Sequence, residues 1–581
     1  MSEVQYASLL SRRAPRFVCF FERTASHLLC WLFLWAAQTG LAAATAFDQA
    51  IVDLSKAAQT EVQEGHITGA TIALIDNQEI VFVRGFGLAD KKRRIPARSD
   101  TIYRVGSISK LFTAMAAMQL AEQGELDIDA SVTKYLPNFS VIVPFDKALP
   151  ITLRQFMCHR SGMVREAPVG SYFDDSEPGM EKTVASLASC VLTYPPNTKT
   201  KYSNSGVTVV GEVVQRIGHA PFPDYQQKQL LGPMGMTNSA FLRNPLIRRK
   251  LATGYLPVAT GSGGFHEVDA PVFEFGILAA GNLYTTAEDL GRFIACLFNQ
   301  CRAGGRQLLR PATLEQMFTP QLTSETNGFG LGFSVGHFRG RKTVNHMGAV
   351  YGFTSILTAI PSEKIGVVVL CNDDIAIGPV RRLNATALDL LLSAKTGDAP
   401  TNPAPPLLLK SEELARFAGD YESQSYWARI DASGQSLVAS ISGQKLALTP
   451  TDTMKFEGNG RVAYKAPFVF DREESGAIRS FTAFEQKFQR INRATTPPAP
   501  ESWKPFLGAY GPAFIPLIIS VKHGHLYATT ENEFDYRLTP INGSVFQMPP
   551  GMYEGEQIVF QPNRHGKVHR VVFANMPLRR R

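Results

Sequence analysis

Ser107-Ile108-Ser109-Lys110 heads a segment that is apolar on nearly every helical face: Leu111, Phe112, Ala114, Met115, Ala116, Ala117, Met118 and Leu120. Such a helix has no side to give to water and must run through the interior of a folded unit. Residues three apart lie one turn from each other on one helical face. The pattern therefore predicts a buried helix whose N-terminal end carries a hydroxyl and an amine together into a cleft. Free backbone N–H groups and the helix dipole at that end favour developing negative charge. A serine beside an amine can become a nucleophile without a histidine–aspartate pair. The lysine serves only if burial or neighbours lower its pKa, so that a neutral amine takes the serine proton. The plain alternative is that Ser107 merely caps the helix.

Two later segments weigh against the plain alternative. Tyr202-Ser203-Asn204 is followed by Ser205-Gly206 and an apolar helix start. Tyr202 is a phenol that, near a lysine ammonium, can ionise and relay a proton; Asn204 can donate to a substrate carbonyl and hold Lys110. Val344-Asn345-His346-Met347-Gly348-Ala349 reads as a strand edge, with Gly348 admitting a ligand closely. The N–H of Ala349 is expected to pair with that of Ser107 as an oxyanion hole, where one donor is worth about 3 kcal/mol of barrier. The candidate residues are thus Ser107, Lys110, Tyr202 and His346 for catalysis, with Asn204, Gly348 and Ala349 for substrate. No GxSxG elbow, Walker loop, dinucleotide fingerprint, CxxC or HExxH spacing occurs, so neither a metal nor a cofactor is expected.

A chain of 581 residues is too long for one core. Two proline-rich seams divide it, Gly397 to Pro406 and Ala494 to Pro500, which act as stiff connectors. They predict units at 47–398, 410–493 and 501–581. The last two repeat each other. Phe417-Ala418-Gly419-Asp420-Tyr421 returns as Phe506-Leu507-Gly508-Ala509-Tyr510, and Leu437 as Leu526, 89 positions on. Leu448-Thr449-Pro450 returns as Leu538-Thr539-Pro540, and Phe470, Gly476 and Ile478 return as Phe560, Gly566 and Val568, 90 positions on. Near-constant spacing over several anchors marks a duplication. Alternating runs such as Leu517 to Val521 and Val568 to Phe573 predict small antiparallel β barrels or sandwiches. In the first unit, Ala70 to Ile75 with Ile80 to Arg84, and Thr354 to Ile360 with Ile365 to Leu370, read as hairpins. Helical patterns lie between them (Leu111 to Gln123, Thr285 to Phe298), and another follows at Val380 to Ser393. The expectation is an α+β domain whose sheet joins N- and C-terminal segments.

The N-terminus carries Arg12, Arg13, Arg16 and Arg23 before an apolar run from Leu28 to Ala44, with Ala44-Thr45-Ala46 supplying small residues. That is the pattern of a signal peptide over 1–46 cleaved before Phe47, and it predicts a periplasmic or secreted protein. An uncleaved anchor is the alternative, and would be the protein's one link to a membrane. Of the five remaining cysteines, Cys296 and Cys301 are near enough to pair, but buried free thiols are the reading preferred. The net charge of +8 is modest and scattered, which gives nucleic-acid binding little support.

With these motifs placed, residues 47–398 resemble the serine β-lactamase and penicillin-binding family, in its branch of class C-like β-lactamases, β-lactamase-like esterases and D-amino-acid peptidases. Ile151-Thr152-Leu153-Arg154-Gln155-Phe156-Met157-Cys158-His159-Arg160-Ser161-Gly162-Met163 and Ala279-Ala280-Gly281-Asn282-Leu283-Tyr284-Thr285-Thr286-Ala287-Glu288-Asp289-Leu290 are further matching text. The resemblance implies an antiparallel sheet flanked by helices, an all-helical lobe, and a nucleophile between the lobes that is acylated and then hydrolysed without a cofactor. It also implies a small-molecule or short-peptide substrate, with a cell-wall peptide among the candidates. The chain departs from β-lactamases at His346, where they carry the lysine of a Lys-Thr-Gly motif that helps bind the substrate carboxylate. The resemblance therefore does not carry efficient β-lactam hydrolysis over, and a peptide, a D-amino-acid derivative, an ester or a β-lactam all stay open as substrate. The duplicated tail is similar to D-aminopeptidases with two C-terminal barrels, one of which reaches over the active site. A penicillin-recognising sensor that is acylated without turnover is the alternative, because it needs the same acylation machinery. A carbohydrate- or wall-binding tail finds no concentrated aromatic cluster to support it.

Overall fold

The computed structural model describes residues 46–259, 265–322, 326–401, 407–495 and 497–581. The expected leader, save Ala46, and parts of both proline seams lie outside the described residues. No helix among the described residues is long and apolar enough to cross a membrane.

An eight-stranded antiparallel sheet runs in the order Gly328–Phe329, Ser334–Phe338, Arg341–Val350, Phe353–Ile360, Ile365–Cys371, Gly69–Asp76, Glu79–Asp90 and Ile95–Pro96. Its middle joins the two ends of the domain: the register runs from Ala70 opposite Cys371 to Asp76 opposite Ile365. Every residue of Phe353–Ile360 and Ile365–Cys371 is buried, because helices cover both faces. On one face the 46–63 helix and Ile377–Thr396 set Leu54, Ala58, Leu383, Leu388 and Leu391 against Ile72, Leu74, Val367 and Val369. Each such leucine, fully buried, contributes about 2 kcal/mol relative to exposure. On the other face Ala287–Phe298 lies so close that a Cβ on Gly366 would come within 2.5 Å of Ile294. This is the α+β domain expected from the two hairpins.

The helical lobe is organised by caps. Thr152 and Gln155 form a capping box at the head of Leu153–Met157. Ser203 caps Asn204–Ile217, its Oγ accepting from the Gly206 N–H at 2.8 Å. Ser109–Glu122 is buried from Ser109 through Leu120, as an all-apolar helix must be. It packs against Asn204–Ile217 at the seam between lobe and sheet.

The repeated tail forms two β units. Gly419–Glu422 through Gln486–Ile491 close into an eight-stranded barrel, Tyr421 pairing with Arg490 to complete it. Phe456, Phe468, Phe470, Phe481 and Phe488 pack on one another as its core. The second unit comprises a four-stranded and a five-stranded sheet. The duplication extends to hydrogen bonds: Tyr421 donates to the Phe417 carbonyl at 2.8 Å and Tyr510 to the Phe506 carbonyl at 2.7 Å. Arg490 and Arg580, again 90 apart, each stack on that tyrosine.

The second unit is clamped to the N-terminal α+β domain. Lys201 and Glu556 form a buried ion pair at 2.8 Å with side-chain exposures of 4% and 1%, and Lys199 meets Glu554 at 2.5 Å. Phe514 packs on Phe273 and Tyr351. Removing one partner of a buried pair strands the other charge, at a cost of about 3–5 kcal/mol. Glu556→Ala is therefore expected to destabilise the intact chain by about 3 kcal/mol in denaturant unfolding. An unchanged midpoint would show that the clamp carries no weight.

Candidate active site

Ser107 sits in a short 3-10 turn, Gly106–Ile108, that feeds directly into the Ser109–Glu122 helix. Gly106 is left-handed at φ +50°, and a Cβ there would lie 2.7 Å from the Ala349 carbonyl oxygen. Only glycine meets both demands. The second serine of the motif is structural: Ser109 Oγ donates to the Gly106 carbonyl at 2.6 Å and accepts from the Leu283 N–H at 2.9 Å. The turn is thus tied to the 279–290 segment.

Lys110 Nζ lies 2.9 Å from Ser107 Oγ and donates to the Ala280 carbonyl at 2.7 Å. The side chain is buried, and burial drives its pKa well below the ordinary lysine value, with the Arg165 charge pushing the same way and Glu166 opposing. That shift favours the neutral amine, the form that can take the serine proton. Asn204, expected to hold Lys110, is turned elsewhere: its Nδ2 donates to Glu166 Oε1 at 2.5 Å. The Ala280 carbonyl does the holding.

Tyr202 hydrogen-bonds the Ser107 hydroxyl, and burial still pushes its pKa up to about 12. The phenol keeps its proton at neutral pH, so the expected ionised relay gives way to a protonated phenol beside the lysine amine. The ring is positioned by stacking. His159 lies 4.1 Å away between ring centroids, Lys110 Nζ is 4.9 Å from the ring centre, and the Arg165 guanidinium is 5.3 Å from it. His159 Nδ1 in turn accepts the Ser203 N–H at 3.2 Å, fixing the segment that bears Tyr202.

His346 comes from the strand Arg341–Val350, and its ring centroid is 6.4 Å from that of Tyr202. Its Nδ1 faces the Met347 carbonyl at 2.7 Å; a carbonyl cannot donate, so the hydrogen is on Nδ1. Nε2 is left as a buried acceptor without a partner. Burial first, and then the Lys110 charge, lower the histidine pKa to about 3. The site therefore holds a neutral imidazole, not a cation. Gly348 makes room for protein backbone rather than for the expected ligand: a Cβ there would lie 2.0 Å from the Val105 carbonyl oxygen. That contact brings Ala349 to the same cleft as Ser107, and the Ala349 carbonyl accepts from Tyr172 Oη at 2.5 Å.

These groups share a cleft of about 380 Å³ that includes Ser107, Tyr202, Asn204, His346 and Ala349. Ile515, Glu531, Asn532 and Met552 of the second tail unit complete its wall. Arg165, Tyr172, Glu531 and Asn532 carried no sequence signal; they belong to no motif and converge only in space. A larger cavity of about 800 Å³ between the 46–63 helix, Ile377–Thr396 and the barrel contains none of the motif residues.

The β-lactamase family model matches residues 48–392. Protein flp of Staphylococcus aureus is 24% identical over 317 residues, 54% of this chain and 61% of that protein, so the chain spans under two thirds of that relative's length. A penicillin-binding protein homologue from Pyrococcus abyssi superposes with a TM-score of 0.54 at 23% identity, over 75% of this chain and 99% of its own. A variant of a class C β-lactamase superposes with a TM-score of 0.51 at 21% identity, over 58% of this chain and 97% of its own. With the family model covering more than half of its length and the fold shared with these structures, the chain belongs to the β-lactamase family of serine hydrolases.

Proposed function

We propose that this protein is an exported hydrolase that cleaves a small amide or ester through an acyl-Ser107 intermediate. The observation that carries the reading is the 2.9 Å contact between Ser107 Oγ and a lysine amine whose pKa burial drives well below the ordinary value. Ser107 Oγ attacks the scissile carbonyl while its proton passes to Lys110 Nζ. The carbonyl oxygen becomes an oxyanion, met by the N–H groups of Ser107 and Ala349. The C–N or C–O bond then breaks, and the leaving group takes a proton from Tyr202, which is resupplied from Lys110. Water attacks the acyl-serine in the reverse proton sequence, releasing the acid and restoring the hydroxyl. His346, neutral, contributes its Nε2 as an acceptor to a substrate N–H or O–H and does not supply the positive charge of a lysine.

Ser107→Ala is expected to abolish turnover of 4-nitrophenyl acetate while leaving the far-ultraviolet circular dichroism and unfolding midpoint as in the parent. Hydrolysis at the parent rate would defeat the assignment. The pH profile tests the amine. Because the Lys110 pKa lies below its ordinary value of 10.5, the active neutral form accumulates early, and kcat/KM should rise and level off well before that pH. The Tyr202 pKa near 12 places the alkaline fall beyond the plateau. A profile still climbing through 10.5 would mean that Lys110 keeps its proton.

A further inference from the structure

The helix Ala287–Phe298 supports the nucleophile helix: Phe293 packs on Phe112 with ring centroids 4.6 Å apart. The chain closes that helix abruptly. Asn299 is its C-cap, Gln300 is left-handed at φ +52°, and the Cys301 N–H donates to the Cys296 carbonyl at 2.8 Å. A bond that spans these residues around a left-handed position is the Schellman closure of a helix. It sets the side chains at its two ends against each other, where a pair of apolar groups ordinarily meets. Here both are cysteines. Their sulfurs lie 4.0 Å apart, both side chains are buried, and both are free thiols. They are the one pair of sulfurs within hydrogen-bonding reach of each other among the described residues.

The loop is held in this form at some cost. Cys301 is itself left-handed, at φ +60°, a conformation uncommon outside glycine, asparagine and aspartate. Two such residues in a row persist only where the surroundings fix them. Gln307 Nε2 donates to the Gln300 carbonyl at 2.6 Å, and the Leu308 N–H donates to the Cys301 carbonyl at 2.8 Å. The Leu308 carbonyl in turn accepts from Gln119 Nε2 at 3.1 Å, and Gln119 belongs to the nucleophile helix. The backbone has therefore already brought the two cysteines together. The remaining approach, from 4.0 Å to the about 2 Å of a bond, falls to side-chain torsions.

We propose that Cys296 and Cys301 are a redox clasp, which closes as a disulfide in an oxidising compartment and locks the end of the Ala287–Phe298 helix against the nucleophile helix. The inference rests on the export proposed above for its oxidant, and not on the acyl-Ser107 chemistry. The oxidant is the disulfide of another molecule, an oxidoreductase or glutathione. One cysteine thiolate attacks a sulfur of that disulfide, forming a mixed disulfide and releasing a thiolate. The other cysteine thiolate then attacks the first cysteine's sulfur and releases the second. Two protons leave the chain, and its two electrons reduce the oxidant to two thiols. Burial sets the timing. In the finished fold the contact with Cys296, and then burial, hold the Cys301 thiol well above its ordinary pKa, so it yields little of the reactive thiolate. The bond forms while the chain is folding and is sheltered afterwards.

Trypsin releases both cysteines on one peptide, Phe293 to Arg302, so a single mass reads the clasp. The full-length chain is expressed with its own leader in an exporting bacterium. Periplasmic protein is denatured in N-ethylmaleimide without reductant and digested. The peptide should be unlabelled and two hydrogens lighter than its dithiol form, with Cys158, Cys190 and Cys371 labelled; prior reduction should add two labels to it. A doubly labelled peptide from folded periplasmic protein overturns the clasp. If none of the chain reaches the periplasm, it is unfolded in urea and refolded by dilution into oxidised and reduced glutathione. A closed peptide in the folded fraction then upholds the clasp and removes export, and an open one overturns the clasp. Stability is the second readout. Refolding under dithiothreitol should lower the parent Tm by a few degrees, the scale of a short disulfide loop, and should leave the Tm of Cys296→Ala unmoved. A parent Tm indifferent to reductant overturns the locking role. A closed clasp in a protein without Ser107-dependent turnover of 4-nitrophenyl acetate strikes the acyl-serine reading and spares the clasp.

Discussion

The chemistry proposed here depends on keeping one amine dry. Lys110 would hold its proton in water and be useless as a base; inside the molecule the cost of burying a charge weakens its hold on the proton. Three features maintain that state. The Ser109–Glu122 helix is buried from Ser109 through Leu120, which sets the amine's stem among apolar side chains. The Ala280 carbonyl occupies one N–H of the amine without demanding a charge. Arg165, held nearby by tyrosine rings, makes a second positive charge still less favourable. The apolar sequence after Lys110 is therefore part of the catalytic apparatus, although none of it touches a substrate.

The remaining site geometry follows from backbone held against backbone. Gly106 and Gly348 bring the nucleophile turn and the Arg341–Val350 strand to separations that a Cβ would forbid. The sheet position of that strand is set far from the site, by pairing through Phe353–Ile360 and Ile365–Cys371 with the N-terminal strand. The duplicated tail has diverged in role along with closure. The first copy closes around a phenylalanine core and serves as a packed support. The second is clamped by Lys201–Glu556 and lends Glu531 and Asn532 to the cleft.

Much of this was legible before coordinates. The hairpins, the α+β class and the duplication are local or periodic signals, and short-range physics writes them into the chain. The family was legible from ordered motif text. The proton states were not. Tyr202 invites a reading as an ionising relay, yet burial raises its pKa to about 12. His346 is a basic residue by type, yet burial lowers its pKa to about 3. Desolvation depends on what surrounds a group, and no spacing rule reports it. Arg165 and Glu166 stand 55 or more residues from the serine, and Glu531 more than 400, with no motif to mark them.

By itself the sequence determined which chemical groups could meet: a serine and a lysine one helical turn apart, a capped helix presenting a tyrosine and an asparagine, and a glycine-bearing strand edge. Those are fixed by periodicity and by the narrow conformational preferences of caps and glycines. Only the tertiary structure decided their charges, the direction in which Asn204 faces, and the entry of a distant β unit into the cleft. Each of these is set by burial and by contacts between segments far apart in the chain, and such contacts leave no periodic trace along it.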